Sequence, residues 1–454
     1  MTTLFDDKAA DVIDLSIGAP ARDLMPVDMV AAACTAALSS NDKACDSFQV
    51  SSDDMSRCIP AAIHSNASCK QYGPEAGDGQ YLSELSILLQ EEYCHLGLSP
   101  IASDSHLCCT SGASQSITNL LTLFSEPTYT SHVFLQSPTY HLVFQMVKDR
   151  GYKTDQLVGI PEDADGIDIA WLEGKLRELE IGKNKSVESP YYSAVLYTVP
   201  TYSNPSGTIL SHERRQKLVQ LAHQHDMLVI CDDVYDMLYQ PSEGKSLPPL
   251  VSYDMAYSSE GNGNVISNGT FSKILSPGVR CGWVQARSGL IKRLAKRQGC
   301  SSISGLHASG GSPAHFVSKL ILETLRTKDL QKHIAKTRDI LSERMTDGLI
   351  TPIDELLLPL GCSYHKPKGG YFLWLKLPQS ITSQALEQTI LKNRIKVSCG
   401  YGYHFAVPSK DHDTYKLEIG SHVRLCFAFY STSDLKSAVE RLHQAIKICL
   451  ESQK

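Results

Sequence analysis

Apolar residues along this chain gather in short β-branched runs, and between those runs they recur at helical spacing. The runs at 132–136, 192–199, 227–231 and 264–267 read as strands. Between the second and third, Ser211 is placed to cap a helix whose Leu218, Leu221 and Ala222 share one face. A second apolar face is formed by Ile117, Leu120, Leu121 and Phe124, directly after the small residues of 110–115. The last helix begins near Ser431 and presents Leu435, Ala438, Val439, Leu442, Ala445 and Ile446 on one side. Strands that are apolar throughout and separated by such helices predict an α/β fold, a mostly parallel sheet covered on both faces. Residues 13–20 read as an extended segment and a turn. Residues 40–70, rich in Ser, Asp and Cys, read as a loop-bearing insertion, and 258–264 and 301–312 read as Gly/Ser-rich loops. There is no internal repeat.

Composition narrows the class. The chain has 454 residues, of which 42% are hydrophobic, too many for one small domain. Three parts are expected: 1–70, joining a small domain and its pocket; 71–325, a large cofactor-binding domain; and 326–454, the rest of the small domain. The net charge is −6 and no basic block stands out, so nucleic acid is not an expected partner. No run approaches the ~20 apolar residues that cross a bilayer. The start is acidic and lacks the apolar core of a secretory signal. The 14 cysteines are scattered without a Cys-x-x-Cys pair, which fits buried free thiols in a reducing cytoplasm and no metal site.

The chemistry concentrates at 267–283. There Lys273 stands among the hydroxyls of Thr270, Ser272 and Ser276, with Arg280 seven residues later. An amine beside a fixed cation and partly out of water loses its proton more easily and can hold an aldehyde cofactor as a Schiff base. The hydroxyls and the guanidinium suit that cofactor's phosphate. Asp232 follows an apolar strand, at the end where open α/β sheets bind ligands. A carboxylate there needs a cation such as a pyridinium nitrogen, or else it caps a turn. Asp233 is expected to be the solvated neighbour. Tyr235 and Asn204 are placed to donate to a phenolate oxygen, or to serve as packing and an Asn-Pro turn. Ser114 and the helix start around Ala113 make an anion site or an ordinary cap. Tyr140 follows a strand, where its ring stacks on an aromatic ligand or joins the core. Arg424, inside an apolar run, takes a substrate carboxylate through both terminal nitrogens or a structural ion pair.

In chain order, Gly18-x-Pro20, Tyr72-Gly73, Gly112-Ala-Ser114, Tyr140, Asn204-Pro-x-Gly207, Asp232-x-x-Tyr235, Thr270-x-x-Lys273, Arg280 and Arg424 resemble the class I/II aminotransferases of fold type I, enzymes of pyridoxal 5′-phosphate. The set spans nearly the whole chain. It looks most like the fungal-type branch of 2-aminoadipate, kynurenine and aromatic amino-acid aminotransferases. The resemblance implies a Schiff-base role for Lys273, a ring-nitrogen partner in Asp232, and phenolate donors in Asn204 and Tyr235. It implies phosphate contacts from Ala113, Ser114, Thr270, Ser272 and Arg280, ring stacking by Tyr140, and a carboxylate grip by Arg424 with Gly18 nearby. It also implies a homodimer in which Tyr72 reaches the neighbouring subunit's phosphate site. The chain departs at Thr270, where relatives often carry serine, and at 397–400, where they often carry a Pro-Gly pair near the pocket.

These residues fit a transaminase that passes the amino group of an aromatic or 2-aminoadipate-like L-amino acid to a 2-oxo acid. They fit equally a lyase that performs β-elimination or carbon–sulfur cleavage, since the first steps are shared. A non-catalytic amino-acid sensor is the third alternative, and no DNA-binding appendage accompanies it.

Overall fold

A computed structural model describes residues 11–39, 73–93, 98, 103–183, 185–186, 189–257, 263–295, 313–409 and 413–452. The 40–70 insertion, Tyr72, the 301–312 segment and most of 258–264 lie outside them.

The centre is an eight-stranded sheet. Its order is Leu107–Thr110, Gly282–Ala286, Val265–Thr270, Met227–Asp232, Ala194–Thr198, His132–Ser137, Leu157–Asp163 and, at the far edge, Gly166–Ile167. The inner strands run parallel. Gly282–Ala286 runs antiparallel to both its neighbours, and Gly166–Ile167 closes a hairpin. Ala194–Thr198, Met227–Asp232 and Val265–Thr270 are buried at every position. That is why the first two are largely unbroken apolar runs and not alternating ones, while Val265–Thr270 turns polar from Ser267 onward, toward the site.

Alternation decides the faces instead. Leu228 and Ile230 join one core with Tyr197 and the Ala113–Phe124 helix, while Val229 and Cys231 join another with the His212–Gln224 helix. Successive side chains in a strand point to opposite faces, so Asp232 continues the first set. Ser211 accepts from the Arg214 amide, and Ser431 from the Asp434 amide, at the starts of the two helices the sequence assigned to them. Each cap stabilises its helix by about 1 kcal/mol.

A second, four-stranded antiparallel sheet runs Ser363–Tyr364, Phe372–Lys376, His422–Cys426 and Gly400–Tyr401. The N-terminal segment is laced to it. Ile13–Asp14 pairs parallel with Val397–Ser398, and the Cys426 amide donates to Leu15 O at 2.9 Å. This pairing carries Ser16 and Gly18 up to Arg424 and Lys273.

Candidate active site

Lys273 follows the Val265–Thr270 strand, half-buried, and donates from Nζ to Gly18 O at 2.6 Å. The Tyr235 and Tyr371 rings stand 5.8 and 5.6 Å from that nitrogen. Tyr371 fixes the lysine's backbone by donating to Lys273 O at 2.9 Å. Burial pulls the ammonium down from 10.5 to about 8, with the Arg424 and Arg280 cations acting the same way and Cys426 and Asp232 against them.

Asp232 closes the Met227–Asp232 strand and is 6% exposed. Tyr197 donates to Oδ2 at 2.8 Å and Asn268 to Oδ1 at 3.3 Å. Burial pushes the carboxyl up to about 6, more than these donors hold it down. Asp233 is the correction. It is 3% exposed, not solvated, and burial raises its carboxyl too. It points to the opposite face, where Ser267 Oγ donates to Oδ2 and Arg215 lies nearby. The sequence shows two adjacent aspartates; strand alternation inside a covered sheet buries both, on different sides.

At the other end of the site, Gly112 precedes the Ala113–Phe124 helix at φ +92. A Cβ on Gly112 would lie 3.0 Å from Arg280 Nη2. Arg280, exposed and left-handed at φ 46, donates from Nη1 to Ser272 Oγ at 3.2 Å, and Thr270 Oγ1 lies 3.1 Å from the same hydroxyl. Ser114 lies in the first turn of the helix. Helix-start amides, three hydroxyls and a guanidinium around a bare backbone form an anion cradle. Gly112→Ala is expected to weaken cofactor retention by about tenfold, because alanine is strained at that φ and crowds the guanidinium; equilibrium dialysis of the cofactor measures it.

Tyr140 lies on the Asp232 side. Burial and the Asp232 charge raise its phenol, and hydrogen bonding to Ser114 opposes them. Asn204, buried and joined to Pro205 by a cis peptide bond, accepts at Oδ1 from Arg424 Nη1 at 2.6 Å. That leaves its amide group for another acceptor. Tyr235 is 4% exposed and packs edge-on against Phe372 at 5.6 Å.

Arg424 is 5% exposed and makes no salt bridge among the described residues. Nη2 donates to Ser16 O at 2.6 Å, and Nε has no partner. Among the described residues, then, no acidic side chain serves as its structural partner. Both terminal nitrogens already hold one acceptor each, so a carboxylate meets the remaining hydrogens, not an idle fork. Phe372 and Phe405 flank the guanidinium at 4.2 and 4.9 Å. A Cβ on Gly18 would lie 3.0 Å from the Phe372 ring.

The structure thus brings Lys273, Asp232, Tyr235, Asn204, Arg424, Gly18, Tyr140 and the phosphate-type cradle to one end of the sheet. Tyr72 lies outside the described residues. Sequence reasoning missed Tyr197, Asn268, Ser16, Phe372, Phe405 and His141. His141 sits edge-on to Phe405 at 5.3 Å; burial and the nearby Arg424 and His404 hold it neutral, down to about 4. None of these carries a motif; strand register and the second sheet place them. A cavity of about 410 Å³ opens elsewhere, between Glu162 and Thr208 on one side and Trp374 and Lys376 on the other. Lys273, Asp232 and Arg424 do not line it, so side-chain chemistry and not hollow volume marks the site. The cradle that excludes a Cβ, the buried carboxylate held only by neutral donors, and the amine beside Gly18 fit a phosphorylated pyridine aldehyde.

A family model described as aminotransferase class I and II matches residues 10–442. YER152C, an uncharacterized protein of Saccharomyces cerevisiae, is 32% identical over 74% of this chain and 77% of its own length. Aromatic-amino-acid aminotransferase 1 of Thermococcus litoralis is 27% identical over 97% of this chain and 89% of its own. The crystal structure of Pyrococcus horikoshii kynurenine aminotransferase in complex with PMP superposes with a TM-score of 0.74 at 24% identity, covering 97% of this chain and 92% of that one. That likeness shows the fold.

Proposed function

Since the chain belongs to the aminotransferase class I and II family, we propose that it moves the amino group of an aromatic or 2-aminoadipate-like L-amino acid to a 2-oxo acid, with Lys273 as the amine that carries the cofactor. Its cofactor is pyridoxal 5′-phosphate, which when bound supplies an aldehyde for the amino group and a ring that takes up electrons from the α-carbon. The observation that carries the reading is the convergence of Lys273 Nζ, the buried Asp232 carboxylate and the Asn204–Arg424 pair around one space.

The chain's own groups divide the work. Thr270, Ser272, Arg280 and the amides from Ala113 hold the phosphate end. Tyr140 would cover the ring, and Asp232 would pair with the ring nitrogen and keep it protonated. Asn204 and Tyr235 would donate to the ring's phenolic oxygen. Lys273 Nζ, once free, would take the proton from the substrate's α-carbon and deliver it to the carbon of the cofactor's former aldehyde; with its ammonium pulled down to about 8, it could do both near neutral pH. Arg424 holds the α-carboxylate. The Phe372 and Phe405 rings beside it, with neutral His141, offer an apolar wall that supports a large, weakly polar donor side chain. The same proposal includes a homodimer in which Tyr72 completes the neighbour's phosphate site.

A panel of amino donors with 2-oxoglutarate, followed by cofactor absorbance, tests the reading. Accumulation of the pyridoxamine form with donor alone is expected; release of a keto acid from a single substrate with no such accumulation would replace transfer by elimination. Arg424→Met is expected to lower kcat/KM by about 10²-fold or more. The loss should be nearly equal for every donor, because the α-carboxylate is common to them all. A loss confined to acidic donors would move Arg424 to the side-chain end of the pocket.

A further inference from the structure

We propose that Asn268 is a positioning residue that ties the Asp232 carboxylate to the first residue of the anion-binding helix, so that ring partner and phosphate cradle move as one unit. The inference rests on the reading of this site as a cofactor site.

Asn268 pairs directly with Asp232 across the parallel register of the Met227–Asp232 and Val265–Thr270 strands. It is fully buried. Its Nδ2 donates to Asp232 Oδ1 at 3.3 Å and to Ala113 O at 3.2 Å. Two acceptors use both amide hydrogens, so the orientation of the group is fixed. Its Oδ1 is left buried without a partner. A buried acceptor without a donor works against folding. Leucine has the same number of side-chain heavy atoms and the same branching at Cγ, suits a strand buried at every position, and carries no such acceptor. Folding alone therefore gives no reason for asparagine here; the site does.

The arrangement has a mechanical and an electrostatic consequence. Tyr197 holds the other carboxylate oxygen, at 2.8 Å, so together the two donors set the plane in which Asp232 meets the ring. The link to Ala113 fixes the distance between that plane and the helix start. A donor to the carboxylate also favours its charged form, in opposition to burial. Losing it makes Asp232 easier to protonate.

Asn268→Leu and Asn268→Ser test this, with three readouts: thermal midpoint of the cofactor-stripped protein, dissociation constant for pyridoxal 5′-phosphate, and the acid limb of the kcat profile. For leucine, an unchanged or raised midpoint is expected. Cofactor affinity should weaken by about tenfold, with the acid limb moved to higher pH. Serine, which keeps one donor, should return the acid limb toward wild type. Unchanged affinity and acid limb in the leucine variant overturn the proposal whatever the midpoint does. If leucine lowers the midpoint as well as the affinity, serine decides: failure to restore the acid limb overturns it, and restoration supports it. Failure of the site reading itself looks different, since wild-type protein would then bind no cofactor.

Discussion

Lys273→Ala is expected to reduce turnover at least about 10⁴-fold, the upper range for one positioned proton-transfer group, and to abolish the borohydride-trapped adduct on this side chain. The reason lies in how the amine is kept. A lysine at its ordinary 10.5 is unprotonated in only about one molecule in several thousand at pH 7. At about 8 the fraction is roughly one in ten. Burial supplies most of that change, and Arg424 and Arg280 add to it. Alanine keeps none of it and leaves the cradle intact, because Gly112, Ser272 and Arg280 do not depend on the lysine side chain. The variant should still bind the cofactor, without a covalent link. Turnover within tenfold of wild type, or a trapped adduct on another lysine, would remove the assignment. Cofactor absorbance and peptide mapping after reduction provide both readings.

Asp232→Asn is expected to lower kcat by about 10²–10³-fold, the loss seen when one group matched to developing charge is removed. The shape of the site is kept, since an amide replaces a carboxylate of equal size, so the deficit is electrostatic. A second signature belongs to the cofactor-free protein. The Asp232 carboxyl rises from 3.8 to about 6 on folding. Below about 4 it is protonated in both states and carries no penalty. Between about 4 and 6 the unfolded chain ionises first, and the folded state loses stability as pH rises. The penalty is complete above about 6 and amounts to about 3 kcal/mol. Asparagine cannot ionise. Relative to wild type, the cofactor-free Asp232→Asn variant should therefore gain about 3 kcal/mol between pH 4 and pH 7. A difference in denaturation free energy that stays constant across that range would show that Asp232 is not a strained carboxylate. Bound cofactor should shrink the gain, by giving the charge its partner.

What could be read from residues alone follows from what each signal is made of. The strands at 132–136 and 227–231 declared themselves because a covered sheet demands unbroken apolar runs. Ser211 and Ser431 declared their helices because a cap is chemistry within a few residues. Lys273, Arg280 and Asp232 stood out as charged residues beside or within apolar runs, and Asn204 by its Asn-Pro-x-Gly turn. Their order along the chain carried the resemblance to aminotransferases. The Leu107–Thr110 and Gly282–Ala286 strands went unread, being short and interrupted by cysteine, threonine and glycine.

The sequence by itself determined the family and the α/β class and singled out the candidate site residues, all through local composition and fixed spacing. The tertiary structure alone decided which side each residue faces and what it meets. Period-two alternation sent Asp232 and Asp233 to opposite faces of one sheet, though nothing in two adjacent aspartates distinguishes them. Parallel register set Asn268 beside Asp232, and a two-residue strand pairing brought Ser16 and Gly18 to Arg424 and Lys273 across more than 250 residues of chain. Contacts of that kind depend on strand order and pairing between distant segments, and no local pattern in the chain encodes them.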